Sequence, residues 1–152
     1  MTLPHRISAG ALVVNQGRLL LLRHFRQGEY DFWAPPGGGV EGGEELEETA
    51  RRETFEETGL RIETQQLAYM DELIDSSGRM VKFWFTARLV SGSMALSRNP
   101  DPREIISDAG WFAEDDLPEA HVFPAVLRGR FWHDWSRGFE SIVRLPLKTS
   151  IF

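Results

Sequence analysis

Two short apolar runs open the chain, ISAGALVVNQ (7–16) and GRLLLLRHF (17–25), with the turn residues Asn15 and Gly17 between them. Runs of this length bounded by turn residues predict a pair of strands. Strict alternation appears in RMVKFWFTARLV (79–90), where Val81, Phe83, Phe85, Ala87 and Leu89 fall on one face of a strand. RIETQQLAYMDEL (61–73) predicts another strand on a poorer pattern, and AGWFA (109–113) a short one. A helical rhythm runs from about Glu44 to Thr58. A second helix is predicted within DDLPEAHVFPAVLRGRFWHDW (115–135), where Pro124 is tolerated near the start and Leu127, Phe131 and Trp135 form the apolar stripe. Between these, PPGGGVEGG (35–43) and SRNPDPRE (97–104) read as loops, and DFWAPP (31–36) as a poor strand. Strands on both sides of the first helix, with a second helix near the end, predict an α/β architecture: a mixed central sheet covered on two faces.

Composition narrows the picture by exclusion. The 152 residues hold no internal repeat, low-complexity tract or linker, and predict one domain over 1–152. Cysteine is absent, which excludes disulfide frameworks, thiolate zinc sites and cysteine nucleophiles. Asn15, Gln16, Gly17 and Arg18 interrupt the apolar N-terminal region, so it predicts neither a signal segment nor a membrane span, and a cytoplasmic protein is expected. The formal net charge of -6 is localised, because Glu41 to Glu57 carries eight glutamates against Arg51 and Arg52 and the remainder is balanced. No basic stripe exists of the kind nucleic-acid binders use, so no duplex nucleic acid is expected as a partner.

The acidic segment ends in RRETFEETGL (51–60), which reads as the last turns of a helix with Gly59 as a left-handed cap. Glu56 and Glu57 then sit at the negative end of the helix dipole, where each carboxylate costs roughly 0.3–1 kcal/mol. One reading is dinucleotide binding, since Gly37, Gly39 and Gly42 satisfy G-x-G-x-x-G. Four glutamates in the first turn would repel a pyrophosphate there, and the Walker lysine is missing. A second reading is a solvated face laced by ion pairs such as Arg52 with Glu56. The third is a cation site. Glu53, Glu56 and Glu57 project within an arc of roughly 100°, beside Leu46 and Ala50 on the buried edge of the helix. All-oxygen ligands favour Mg²⁺ or Mn²⁺ over zinc. The misplaced acids make sense as half of such a site.

GVEGGEELEETARRETFEETGL and its neighbours resemble the Nudix box, G-x5-E-x7-R-E-U-x-E-E-x-G-U. Gly38, Glu44, Arg52, Glu53, Glu56, Glu57, Gly59 and Leu60 all fall in register, and FWAPPGG (32–38) is similar to the usual lead-in. Position 54, usually aliphatic, is Thr54. Its hydroxyl is expected to bond back to the carbonyl of Ala50 at modest cost to the helix.

The resemblance implies the family's α/β/α sandwich and the hydrolysis of a diphosphate linkage in a nucleoside diphosphate derivative or related small molecule. It implies Mg²⁺ or Mn²⁺ held by Glu53, Glu56 and Glu57 with help from the carbonyl of Gly38, Arg52 orienting a carboxylate, and Glu44 in a structural part. Glu53 is the first candidate for general base, and Glu104, in DPREIISDAGWF (101–112), the second. For substrate phosphates the candidates are Arg23 and Arg26, and for base stacking Tyr30, Phe32, Trp33 and Trp84, with Trp33 foremost because it adjoins the glycine loop. Isoprenoid isomerases of this superfamily use a cysteine and are excluded. A decapping-type enzyme would need a basic RNA track. A catalytically silent nucleotide sensor is the alternative, although such members often lose box acids that are kept here. DELIDSSG (71–78) carries neither the proline of ADP-ribose subgroups nor the tyrosine of dinucleoside-polyphosphate subgroups. Family members often dimerise, so a homodimer is possible.

Overall fold

The computed structural model describes residues 3–96 and 105–149. Its strands are β1 (His5–Asn15), β2 (Arg18–Arg26), β3 (Tyr30–Ala34), β4 (Gly37–Gly39), β5 (Leu60–Asp75), β6 (Gly78–Gly92), β7 (Ile106–Phe112), β8 (His121–Val122) and β9 (Val143–Arg144). The helices are α1 (Leu46–Thr58) and α2 (Phe131–Arg137). The main path of the sheet runs β8-β3-β2-β1-β6-β5-β9, with β4 paired to β1 and β7 to β2. It is mixed: β1 runs parallel to β6, β3 to β8 and β5 to β9, while the other pairings are antiparallel.

The two apolar runs do form β1 and β2, joined by a tight turn in which Gln16 and Gly17 both have positive φ, as a type I′ hairpin turn requires. Their direct ladder is brief, Val14 with Leu19 and Asn15 with Arg18. Beyond it β1 turns to β6, from His5 opposite Arg79 to Val13 opposite Ala87, and β2 turns to β3 and β7. The LLLL run explains itself at this junction. Leu19 and Leu21 enter one core and Leu20 and Leu22 the other, all fully buried, because a strand covered on both faces has no polar side.

Helix α1 packs on one of those cores through Ala50 and Leu46, against Ala9, Ala11, Val13 and Phe85. The second core holds Leu12, Tyr69, Trp84, Leu127, Phe131 and the flanking Trp135. The stripe at 127, 131 and 135 therefore faces the interior as expected, but one helix does not carry it. Ala125–Arg128 is a single 3-10 turn and α2 begins only at Phe131. Gly129, at φ -106 and ψ -112, interrupts the helical path, and the Phe123–Pro124 peptide is cis. Two further readings are corrected. DFWAPP contributes strand β3, held between β2 and β8, and Gly37–Gly39 within the supposed loop is strand β4, paired with Ser8, Ala9 and Gly10 of β1.

Phe131 is fully buried among Trp132, Trp135 and Phe139. Phe131→Ala is expected to lower unfolding free energy by about 3–5 kcal/mol, read from the urea midpoint at unchanged m-value.

Candidate active site

Helix α1 ends as the sequence predicts. Gly59 adopts the left-handed conformation (φ 75) and its N–H meets the Phe55 carbonyl at 2.8 Å. The Thr54 hydroxyl donates to the Ala50 carbonyl at 2.7 Å, and the Thr58 hydroxyl to that of Thr54 at 2.6 Å. The departure at position 54 is thus absorbed by a bond inside the helix, and Thr54 stays fully buried.

No basic residue stands in the last turn. The positive charge comes instead from Arg52, one turn earlier. Its Nε and Nη2 donate to the two oxygens of Glu44 at 2.8 and 2.9 Å. Nη1 donates to Glu53 Oε1 at 2.9 Å and Glu56 Oε2 at 3.1 Å, and Nη2 also meets the Gly39 carbonyl at 3.0 Å. Foremost the bond to Glu44, then Glu53, hold the Arg52 pKa above its ordinary value although partial burial works against the charge. Glu44 mirrors it. The Arg52 bond pushes its pKa down to about 2 against partial burial, with further bonds from the Glu41 N–H and the Thr49 hydroxyl. Glu44 lies just before the helix and ties its first turn to Arg52, which agrees with the structural part expected of it.

Glu57 takes the other direction. It is 1% exposed, and its Oε1 accepts the Gly37 N–H at 2.8 Å. Gly38 is as closely engaged: a Cβ there would lie 2.5 Å from the Glu53 carboxylate. Only a glycine lets the backbone of β4 come this near. The structure therefore brings Arg52, Glu53, Glu56, Glu57 and Gly38 together.

Among the described residues no three histidine, aspartate or glutamate side chains are gathered closely enough to hold a metal. The carboxylates are drawn onto Arg52 and Gly37. Their chemistry nonetheless fits a hard divalent ion: every donor is oxygen, and the glycine strand lies against Glu53 where any side chain would block it. Glu104 lies outside the described residues.

On β4 the same three glycines line a cleft of about 630 Å³, together with His24, Phe32 and Lys82. Arg23, Arg26 and Trp33 are not among its lining residues. Arg23 makes a two-pronged pair with Asp31, 2.8 Å at each contact, and lies over the Phe25 ring. Arg26 pairs with Glu29, and Trp33 packs edge-on against Phe112. Of the ring candidates, Phe32 does line the cleft. Arg23 lies opposite Trp33 and His24 opposite Phe32, and one residue exchanges the faces of a strand, so Arg23 and Trp33 fall on the other face. Of the other ring candidates, Trp84 is fully buried in the core and Tyr30 leans on Phe32. The lining residues His24 and Lys82 are not among the residues the sequence singles out, because charge is sought there on Arg23 and Arg26; the alternation of Lys82 with the large apolar residues of β6 is the available signal.

Glu44 gives a prediction with a definite sign. Its pKa is depressed in the folded state, so its contribution to stability is complete above the unfolded value near 4.5 and is lost as pH falls toward about 2. Glu44→Gln is expected to melt below the parent at pH 7, and the two melting curves should converge as pH falls through that window.

The chain can now be set beside known proteins. A family model described as the NUDIX domain matches residues 4–130. The NAD-capped RNA hydrolase NudC of Chromobacterium violaceum is 38% identical over 74% of this chain, which spans 40% of NudC's length. An RNA pyrophosphohydrolase of Bartonella henselae is 42% identical, with 86% of this chain and 94% of that protein covered. Among solved structures, a MutT NUDIX hydrolase from Burkholderia pseudomallei superposes with a TM-score of 0.66 at 33% identity, covering 76% of this chain and 88% of its own. The fold, the box in register and these matches agree: the chain belongs to the NUDIX family.

Proposed function

We propose that this chain hydrolyses the diphosphate linkage of a nucleotide derivative, with Mg²⁺ or Mn²⁺ held by Glu53, Glu56, Glu57 and the carbonyl of Gly38. The observation that carries the reading is the double engagement of β4. Its glycines touch Glu53 and Glu57 of α1 and also line the cleft. A diphosphate in that cleft would lie against the one acidic segment of the chain, an arrangement that repels it unless cations intervene. A divalent ion bound there cancels phosphate charge and lowers the pKa of a water it holds.

The protein's own groups then have separable parts. Glu57, fixed by the Gly37 N–H, and Glu53 and Glu56, steered by Arg52, present the oxygen donors. Arg52 is a positioning residue that keeps two box acids and Glu44 in one arrangement. Glu53 is the first candidate to accept the proton of the attacking water, and Glu104 the second. Attack at phosphorus forms one P–O bond and breaks the bridging one, leaving two phosphate products.

Among the described residues the cleft is lined by the cations Arg6 and Lys82 and the acid Asp75, which suits a small anionic nucleotide. The names of the two relatives that act on RNA favour a second reading, a diphosphate at an RNA end. The balanced charge outside the acidic segment supports the small substrate over a long RNA track.

A phosphate-release screen over nucleoside triphosphates, nucleotide sugars, dinucleotides and 5′-triphosphate RNA distinguishes these. Metal-dependent turnover is expected, abolished by EDTA and reduced by orders of magnitude in Glu57→Gln, whose amide oxygen can still accept the Gly37 N–H and keep the fold. Turnover that persists in EDTA would exclude the mechanism, and tight nucleotide binding without turnover on any substrate would favour the sensor. For the base, Glu53→Gln and Glu104→Gln are compared by pH–rate profile. The variant that loses the acidic limb together with about 10²–10⁴-fold in rate identifies the proton acceptor.

A further inference from the structure

One wall of the cleft is built from groups that the box does not include. His24 of β2 and Phe32 of β3 are cross-strand partners, and their rings stack with centroids 4.8 Å apart and planes 7° from parallel. Both line the cleft and both are half-buried. A histidine and a phenylalanine that served only the core would be sealed, as Trp84 is. Lys82 of β6 lines the same cleft. Its Nζ lies 4.4 Å from the centroid of the Trp84 ring, and its Cε lies 3.0 Å from where a Cβ on Gly37 would stand. Lys82 is therefore beside the glycine whose N–H holds Glu57.

The cleft thus has two chemically distinct regions. One carries a lysine next to the glycine strand and the box acids. The other carries a flat ring pair. Burial first, and the charge of Lys82 second, push the His24 pKa down to about 4. At neutral pH the imidazole is uncharged and offers one donor and one acceptor nitrogen. The volume of about 630 Å³ falls within the range of roughly 300–1,000 Å³ typical of small-ligand sites.

We propose that His24 and Phe32 form the wall that receives the nucleobase of the substrate, and that Lys82 holds the phosphate chain leading from it to the box acids. This rests on the hydrolase reading above and assigns the parts of the substrate within it. A base lying in the plane of the imidazole meets its donor and acceptor and is faced by the parallel Phe32 ring. A ring-free diphosphate gains only the lysine. His24 is then a specificity-determining residue and Lys82 a phosphate-binding one.

The test compares ADP with methyl diphosphate on the whole chain, by steady-state kinetics and, with Mg²⁺ present, by calorimetric binding of their non-hydrolysable bridging-methylene analogues. His24→Ala is expected to weaken ADP about tenfold, seen in KM more than in kcat, and to leave methyl diphosphate unchanged. Lys82→Met is expected to weaken both. His24→Gln, which keeps a donor and an acceptor, should recover part of the loss and guards against a folding artefact in the alanine variant. Unchanged ADP affinity in His24→Ala, or an equal loss for the ring-free compound, would overturn the assignment. Because the methylene analogues read the wall without turnover, a parent that binds the ADP analogue through His24 but hydrolyses no diphosphate would sink the hydrolase reading and leave the wall standing.

Discussion

The guanidinium of Arg52 ties the acidic helix to the strand beside it. Three box carboxylates crowd the carbonyl end of α1, where the helix dipole opposes them and no base sits in the last turn. Arg52 reaches two of these acids, as well as Glu44 ahead of the helix and the carbonyl of Gly39 on the neighbouring strand. A lysine, a point charge on a flexible stem, could not span four acceptors in fixed directions; the planar fork can. The bond to Gly39 also fixes the helix against β4. The same contact that relieves repulsion among the acids thus sets the register between them and the cleft.

Much of this was legible in the sequence because it is local. The spacing from Gly38 to Leu60 is short in sequence and mostly helix α1, so the positions of Arg52, Glu53, Glu56, Glu57 and Gly59 follow from helical geometry alone. The Thr54 hydroxyl bond followed from the same geometry. LLLL at 19–22 and the stripe at 127, 131 and 135 marked buried faces, since periodicity reports burial. What escaped was non-local. Three consecutive glycines carry no strand preference, and β4 exists only because Ser8, Ala9 and Gly10 of β1 present a ladder to it. The break at Gly129 was visible as a glycine but was outweighed by the four-residue stripe, which a 3-10 turn followed by a short helix also satisfies.

The cleft lining shows a different limit. Of the residues expected in LLRHFRQ and DFW, Phe32 lines the cleft, while Arg23, Arg26 and Trp33 do not. In β2 and β3 the choice between Arg23 with Trp33 and His24 with Phe32 depends on which face of the pair borders the cleft. That is set by β4 and β6 across the molecule and not by either strand. Charge also misled. Arg23 looked available for phosphate, yet Asp31 opposite Phe25 on the next strand holds it by two contacts, and the Asp31 pKa is lowered by that bond. A cation already matched by a carboxylate in good geometry adds little attraction for a third partner.

The arrangement of charge around β4 constrains what the cleft can admit. On the helix side stand the acids, gathered by Arg52. On the cleft side, among the described residues, stand Lys82 and Arg6, with the acid Asp75 against them. A neutral ligand would gain nothing from this separation, and a purely cationic one would be turned away by the lining. An anion bearing several phosphate oxygens would be attracted by the lysine and would then meet carboxylates whose charge cations would have to screen before contact became favourable. Metal binding and substrate binding at such a boundary are therefore coupled through charge: each reduces the electrostatic cost of the other. His24 is kept out of that balance by its own burial beside Lys82, which leaves its imidazole to act by shape and hydrogen bonding.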